Sequence, residues 1–127
     1  MLRNSLISVS FNVLIHWDIN SSALCKYFNN CTFNSDGKAL LLYGGANIKL
    51  TINGCTFNDN GGLTDKKAAI EIGNSYDTSY TLIVNNTIVN GYEINDKGIN
   101  TGTTLWANKN SMGKDKLNVV VDGVDVY

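Results

Sequence analysis

The chain has 127 residues, with 10 basic and 11 acidic side chains, a net charge of −1 and 43% hydrophobic residues. This length is that of one domain with a real core, and the composition excludes intrinsic disorder. The balanced charge gives no basic surface for nucleic acid, and no apolar run is long enough to span a membrane. We therefore expect no nucleic-acid partner and no membrane span.

Residues 1–27 are predicted to form a less regular N-terminal coil or cap within one domain that covers residues 1–127. Apolar residues occupy every second position from Ile7 to Trp17, and polar residues fill most of the gaps, with Leu14 as the exception. This alternation is typical of a strand, whereas a leader peptide would be apolar throughout. We therefore expect a strand in this segment.

An internal repeat covers most of the remaining chain. Its clearest part reads apolar, Asn/Asp, Asn/Gly, small, variable, apolar. The four copies are Phe28–Phe33, Ile52–Phe57, Val84–Val89 and Val121–Val126. The Asn/Asp position recurs at residues 29, 53, 85 and 122, so the periods are 24, 32 and 37 residues. Periods of this size indicate a solenoid, and short strands without helical periodicity favour a β-solenoid.

Stacked turns would explain the heavy use of asparagine, which supplies 19 of the residues. Asparagine tolerates the left-handed backbone of corners, and a stacked asparagine can hydrogen-bond to its equivalent in the next turn. The absence of proline fits turns that donate backbone N–H groups to their neighbours. We expect one column that contains Asn29, Asn53, Asn85 and Asp122.

The segments FNNCTF at 28–33, INGCTF at 52–57 and VNNTIV at 84–89 resemble the right-handed parallel β-helix superfamily, often called pectin-lyase-like. The predicted fold class is therefore all-β, a right-handed parallel β-helix of about four coils. An antiparallel β-sandwich with chance similarity is the alternative. The superfamily contains lyases, hydrolases, epimerases, adhesins and phage tailspikes, so the resemblance implies a fold more than an activity.

The sequence offers little for catalysis. Polysaccharide lyases of this superfamily use an acidic calcium cluster with an arginine or lysine base, and its pectin hydrolases carry NTD, DD, GHG and RIK stretches. None of these stretches occurs, Arg3 is the sole arginine, and Glu71 and Glu93 are the sole glutamates. The aspartates are scattered, mostly beside turn residues. We predict no catalytic residue, no metal and no cofactor.

Ligand binding is the function that the sequence favours. The resemblance implies a ligand groove along one parallel sheet, with aromatic side chains that stack on sugar rings. The predicted ligand-binding residues are Leu42, Tyr43, Glu71 and Trp106. The aromatic residues expected to be exposed are Tyr43, Tyr76, Tyr80, Tyr92 and Trp106. The alternative is that these aromatic residues cover loops or a subunit contact.

Three cysteines, Cys25, Cys31 and Cys55, are too few for a disulfide scaffold. Cys31 and Cys55 should stack in consecutive coils, at a strand spacing of ~4.8 Å that exceeds the ~3.8 Å mean Cβ separation of a disulfide. We predict neighbouring free thiols in the interior.

These features predict a non-enzymatic surface or secreted bacterial module, adhesin-like or carbohydrate-binding, with an extracellular location and a polysaccharide partner. A fragment or degenerate relative of a polysaccharide lyase or hydrolase is one alternative, and a structural spacer that stacks on itself is another. The last repeat runs to Tyr127 and leaves little room for a C-terminal cap. Uncovered end strands invite pairing, so we expect a homo-oligomer or contact with neighbouring β-helix coils through open ends.

Overall fold

A computed structural model of the chain describes residues 2–3, 6–8, 13–17, 23–35, 38–44, 47–59, 68–73, 78–92 and 105–127, with backbone alone before Lys26. These residues form strands, turns and bends without any helix, so the fold is all-β. In this part of the chain there is accordingly no helix with the length and apolar character needed to cross a membrane.

The described strands form three sheets. The first sheet contains β1 (Leu2–Arg3), β4 (Ala23–Asn29), β7 (Asn47–Asn53), β10 (Tyr80–Asn85), β13 (Leu117–Val121) and β14 (Val124–Asp125). The second contains β2 (Leu6–Ser8), β5 (Thr32–Ser35), β8 (Thr56–Asp59) and β11 (Ile88–Asn90). The third contains β3 (Val13–Trp17), β6 (Leu40–Gly44), β9 (Ile70–Ile72) and β12 (Trp106–Asn108).

From β1 to β13 the chain visits the three sheets in a fixed order, so every third strand returns to the same sheet, and β14 then stays in the first sheet. Neighbouring strands pair in parallel, and the β13–β14 pair is the one antiparallel pair among the described strands. Parallel strands need a long crossover connection, and here two strands of the other sheets provide it. The predicted parallel pairing is confirmed, and the antiparallel sandwich is wrong.

The N-terminal segment differs from its prediction. Residues 7–17 do not form one strand, because Leu6–Ser8 belongs to the second sheet and Val13–Trp17 to the third. Together with Leu2–Arg3, these strands give each sheet one strand that pairs in parallel with the next layer. The alternation indicated extended backbone correctly, but it could not show where the chain passes from one sheet to the next.

Apolar columns run through the three sheets and form the core. The predicted column Phe28–Ile52–Val84–Val121 is confirmed by the strand register, as is the column Phe33–Phe57–Val89. The rings of Phe33 and Phe57 stack with centroids 4.8 Å apart and planes 6° from parallel. Full burial of such a side chain contributes about 1.5–3 kcal/mol, so stability is distributed along the columns.

The corner between the first and second sheets is uniform. Residues 30–31, 54–55 and 86–87 join these sheets in successive layers, so each connection has two residues. The first residue of each pair has a positive φ: 55° at Asn30, 62° at Gly54 and 50° at Asn86. Asparagine and glycine adopt this left-handed backbone at the lowest cost. The other two corners vary in length and absorb the change in period from 24 to 37 residues.

The C-terminal repeat does not turn this corner. Asp122 and Gly123 both have positive φ, 49° and 78°, as a type I′ turn requires, and β14 folds back antiparallel to β13. The pairing continues because Val126 N–H donates to the Val119 carbonyl at 2.9 Å and Val119 N–H donates to that of Tyr127 at 3.0 Å. The expectation that the chain leaves little room for a C-terminal cap is therefore wrong, because its last residues cover the edge of the first sheet.

The side chain of Tyr127 extends this cap over the end of the third sheet. Its ring meets that of Trp106 edge-on, with centroids 5.7 Å apart. Its hydroxyl donates to the Met112 carbonyl at 2.6 Å. Asn108 fixes the same loop, because its side chain donates to the Met112 carbonyl at 2.8 Å and accepts from the Met112 N–H at 2.9 Å.

Candidate ligand-binding face

The four residues predicted to bind a ligand all lie on the third sheet, but two of them point inward. Leu42 and Trp106 are both 0% exposed. The register pairs Leu42 with Ile72 and Trp106 with Ile70, so both lie in core columns. Their predicted outward position is wrong because LLLYG is apolar at each of its first three positions, and apolarity there does not distinguish the two faces of a strand.

Glu71 does lie on the outer side of its strand, between the core residues Ile70 and Ile72, yet it is only 1% exposed. Lys38 Nζ lies 2.7 Å from Glu71 Oε2, and Lys109 Nζ lies 3.6 Å from the same oxygen. Among the described residues, no group hydrogen-bonds to Oε1. A carboxylate buried in this way needs its cations for stability, and it is closed to a bulky sugar ligand.

The aromatic side chains expected to be exposed are mostly buried. Tyr80 and Tyr92 are buried, as is Trp106, so this prediction is wrong for all three. Tyr43 is half-buried on the outer side of β6, and Tyr76 lies outside the described residues. Tyr92 points to Ser35, with 3.0 Å between the two hydroxyl oxygens. The third sheet therefore offers no exposed row of aromatic rings in the described part of the chain.

The outer face of the first sheet is more accessible. Its strand β7 buries Ile48, Leu50 and Ile52 on the inner side. On the outer side Asn47 and Lys49 are exposed and Asn53 is partly exposed, whereas Thr51 is buried. One outward column consists of Tyr27, Thr51, Ile83 and Val120. The neighbouring outward column contains Lys49, Thr81 and Asn118. We name these two columns together the outer face of the first sheet.

Tyr27 gives this face its chemical character. It is 42% exposed, and it is the one exposed aromatic side chain of the residues whose side chains are described. Lys49 is exposed and Thr81 half-exposed in the adjacent column. Residues two apart on a strand lie about 6.6 Å apart and neighbouring strands about 4.8 Å apart, so these groups can contact one extended ligand. Tyr27 was not among the predicted ligand-binding residues, although its place one residue before the FNNCTF repeat marks it as outward.

Two asparagine ladders border this face and the second sheet. In the first, Asn53 Nδ2 donates to Asn29 Oδ1 at 3.0 Å and Asn85 Nδ2 donates to Asn53 Oδ1 at 2.9 Å. The predicted column is thus confirmed for these three residues. Asp122 differs, because its carboxylate accepts a hydrogen bond from the backbone N–H of Asn86 at 2.8 Å.

A second ladder follows the first at the outer side of the second sheet. Asn58 Nδ2 donates to Asn34 Oδ1 at 2.9 Å, and Asn90 Nδ2 donates to Asn58 Oδ1 at 2.8 Å. This ladder was not predicted, although its asparagines recur with the same spacings as those of the first ladder. Both ladders use their amides on one another and so favour a rigid scaffold over ligand contact.

The predicted pair of free interior thiols is confirmed. Cys31 and Cys55 are both free and buried, and Thr56 N–H donates to the Cys31 carbonyl, which places the two cysteines in consecutive layers. Burial raises the pKa of the Cys55 thiol. Thr87 occupies the same position in the next layer, where its hydroxyl donates to the Asn85 carbonyl at 3.1 Å. Cys31 makes the equivalent contact, because its Sγ lies 3.5 Å from the Asn29 carbonyl oxygen. These thiols act as small core residues.

Within the described residues, no three His, Cys, Asp or Glu side chains come close enough to hold a metal ion. Comparison with protein-family models, with curated proteins and with solved structures gives no match for this chain.

Proposed function

We propose that the chain is a right-handed parallel β-helix of the pectin-lyase-like kind. The three-sheet order, the parallel register and the asparagine ladders support this proposal. Handedness follows from a general rule, since crossovers between parallel strands of one sheet are right-handed in about 98% of cases.

The function that we propose is non-enzymatic binding of a linear polysaccharide on the outer face of the first sheet, by an adhesin-like module that works outside the cell. Exposed Tyr27 is the observation that carries this proposal. A tyrosine ring offers an apolar face to the C–H side of a sugar at low entropic cost, and its hydroxyl adds a hydrogen-bonding group.

The surroundings of Tyr27 suit an extended, uncharged or acidic glycan. Lys49 and Thr81 supply hydrogen-bond donors for sugar hydroxyl or carboxyl groups, and Thr51 lies in the same column as Tyr27. The columns run across the strands, so a ligand that repeats along its length can contact several layers in turn. A compact small molecule would use only one layer of this open face.

A panel of soluble and insoluble polysaccharides, screened by pull-down and then by titration calorimetry, tests the proposal. We expect at least one glycan to bind and Tyr27→Ala to weaken that binding about tenfold, equivalent to about 1.4 kcal/mol. Ile88→Ala is the matched control, because Ile88 is also exposed but lies on the second sheet.

Two results would contradict the proposal: no binding across the panel, or equal affinity for the Tyr27→Ala and Ile88→Ala variants. Release of unsaturated or reducing ends from a bound glycan would instead favour the alternative, a relative of the polysaccharide lyases and hydrolases. Circular dichroism of each variant checks that the sheets are intact.

A further inference from the structure

Two Asn-Gly dipeptides occupy different environments in this fold. Asn53–Gly54 follows Ile52, and Asn90–Gly91 follows Val89, so both have a β-branched residue before them. In such a dipeptide the glycine nitrogen can attack the asparagine Cγ. A C–N bond forms, ammonia leaves, and water then opens the five-membered succinimide to aspartate or isoaspartate. Glycine permits this attack because it has no Cβ.

Three hydrogen bonds restrain the first dipeptide, Asn53–Gly54. Asn53 Nδ2 donates to Asn29 at 3.0 Å, and Asn53 Oδ1 accepts from Asn85 at 2.9 Å. The attacking nitrogen is also occupied, because Gly54 N–H donates to the Asn85 carbonyl at 2.9 Å. Succinimide formation at Asn53 would have to break these three hydrogen bonds together.

The outer dipeptide is much less restrained. Asn90 is exposed and ends the second ladder on the edge strand β11, where its one side-chain hydrogen bond goes to Asn58. Gly91 is exposed and has a φ of 84°. In the part of the chain that the structure describes, no hydrogen bond engages the Gly91 N–H or the Asn90 Oδ1.

We propose that Asn90 is a site of spontaneous deamidation in the folded protein, while the first ladder protects Asn53. The product at residue 90 is a carboxylate, which has no N–H group to donate to Asn58 Oδ1. The reaction therefore ends the second ladder one layer earlier and adds a negative charge at the edge of the second sheet.

Peptide-level mass spectrometry tests this proposal. The folded chain is incubated at mildly alkaline pH, and trypsin then separates Asn53, in residues 50–66, from Asn90, in residues 68–97. Fragment ions distinguish Asn53 from Asn60–Gly61, which lies outside the described residues. We expect the mass gain of amide-to-acid conversion to accumulate first at Asn90.

The same incubation in denaturant is the matched control. Because the residues before the two dipeptides are both β-branched, we expect similar rates at Asn53 and Asn90 once the fold is lost. The Asn90→Gln variant should give no product at residue 90 on the same timescale. Equal rates in the folded protein would overturn the proposal, as would a preference for Asn90 that persists unchanged in denaturant.

Discussion

Asparagine side chains are the main polar support of the first two sheets. Each ladder amide donates in the same direction along its column, from Nδ2 of one layer to Oδ1 of the layer before it. An interior member thus takes part in two side-chain hydrogen bonds, and a terminal member takes part in one. Position within a ladder should therefore decide how much each asparagine contributes to stability.

Asn53→Ala and Asn90→Ala test this difference. We expect Asn53→Ala to lower the free energy of unfolding by about 2 kcal/mol, because it removes two hydrogen bonds and leaves part-buried amides unpaired. Asn90→Ala removes one exposed hydrogen bond and should cost less than about 1 kcal/mol. Urea denaturation with an unchanged m-value measures both, and equal losses would contradict the ladder argument.

Tyr92 makes stability depend on pH. The pKa of its hydroxyl is raised from the ordinary 10.0 to about 12, chiefly by burial. The hydrogen bond with Ser35 lowers this pKa and the charge of Asp59 raises it. The folded state therefore favours the protonated form of Tyr92. This contribution is complete below pH 10 and is lost as pH rises from 10 to 12.

The Tyr92→Phe variant should lose less stability than the parent protein across this pH range. Chemical denaturation at pH 9, 10 and 11, about one unit apart, measures the slope for both proteins. Other groups also ionise in this range, so the difference between the two slopes is the informative quantity. Identical slopes would show that Tyr92 does not couple ionisation to folding.

The first ladder could be predicted because FNNCTF and INGCTF align without a gap. On the third sheet the outer side was predicted correctly at Glu71, which alternates with two isoleucines. It was predicted wrongly at Leu42 and Trp106, because their strands carry no such alternation and every residue of Trp106–Asn108 is buried. The burial of Glu71 could not be predicted from the sequence either, because its partners Lys38 and Lys109 are distant from it along the chain.

At the scale of elements, the corners between the first and second sheets differ from the C-terminal hairpin in the backbone conformation of one residue. A corner has a single residue with positive φ, such as Asn86, whereas the hairpin has two in succession, Asp122 and Gly123. The letters VDGV resemble INGC, so the sequence predicted another corner where the chain in fact reverses. An Asp-Gly pair between apolar residues is a strong hairpin signal. At this position the hairpin preference of Asp-Gly determines the backbone, and the similarity to the other repeats does not.

Gly54→Ala and Gly123→Ala separate backbone strain from steric conflict. Both residues have positive φ, 62° and 78°, which costs a non-glycine residue about 1–2 kcal/mol. A Cβ on Gly123 would meet no atom within 4 Å, whereas one on Gly54 would force the exposed Asn30 side chain to turn its Oδ1 away. We expect Gly54→Ala to be more destabilising in thermal or urea denaturation, and the reverse order would contradict the corner geometry.

At the scale of the whole molecule, the sheets end differently. Among the described strands, the first sheet continues through β13 and the antiparallel β14, whereas the second ends at β11, where Ile88 is 58% exposed. In its outward column Ile88 stands where earlier layers have Thr32 and Thr56. A copy stacked in register on β11 would have to place its own β1 where β13 already lies. Contact through open ends stays a prediction, and at the first sheet it would have to displace β14 from the edge of β13.

Deletion of residues Val124–Tyr127 should promote self-association. The deletion exposes the edge of β13 and uncovers Trp106, and open edges pair with other chains. Analytical ultracentrifugation should show larger species than for the full chain at equal concentration. A truncated chain that stays as small as the full one would contradict the capping role.

The constant two-residue corner between the first and second sheets has an evolutionary consequence. Because changes in repeat length fall at the other two corners, insertions there leave the amide rows in place. The corner between the first and second sheets thus keeps a constant length, while the loops at the other two corners can change in length and sequence. New recognition specificities can arise on those loops without any change in the rise from one layer to the next.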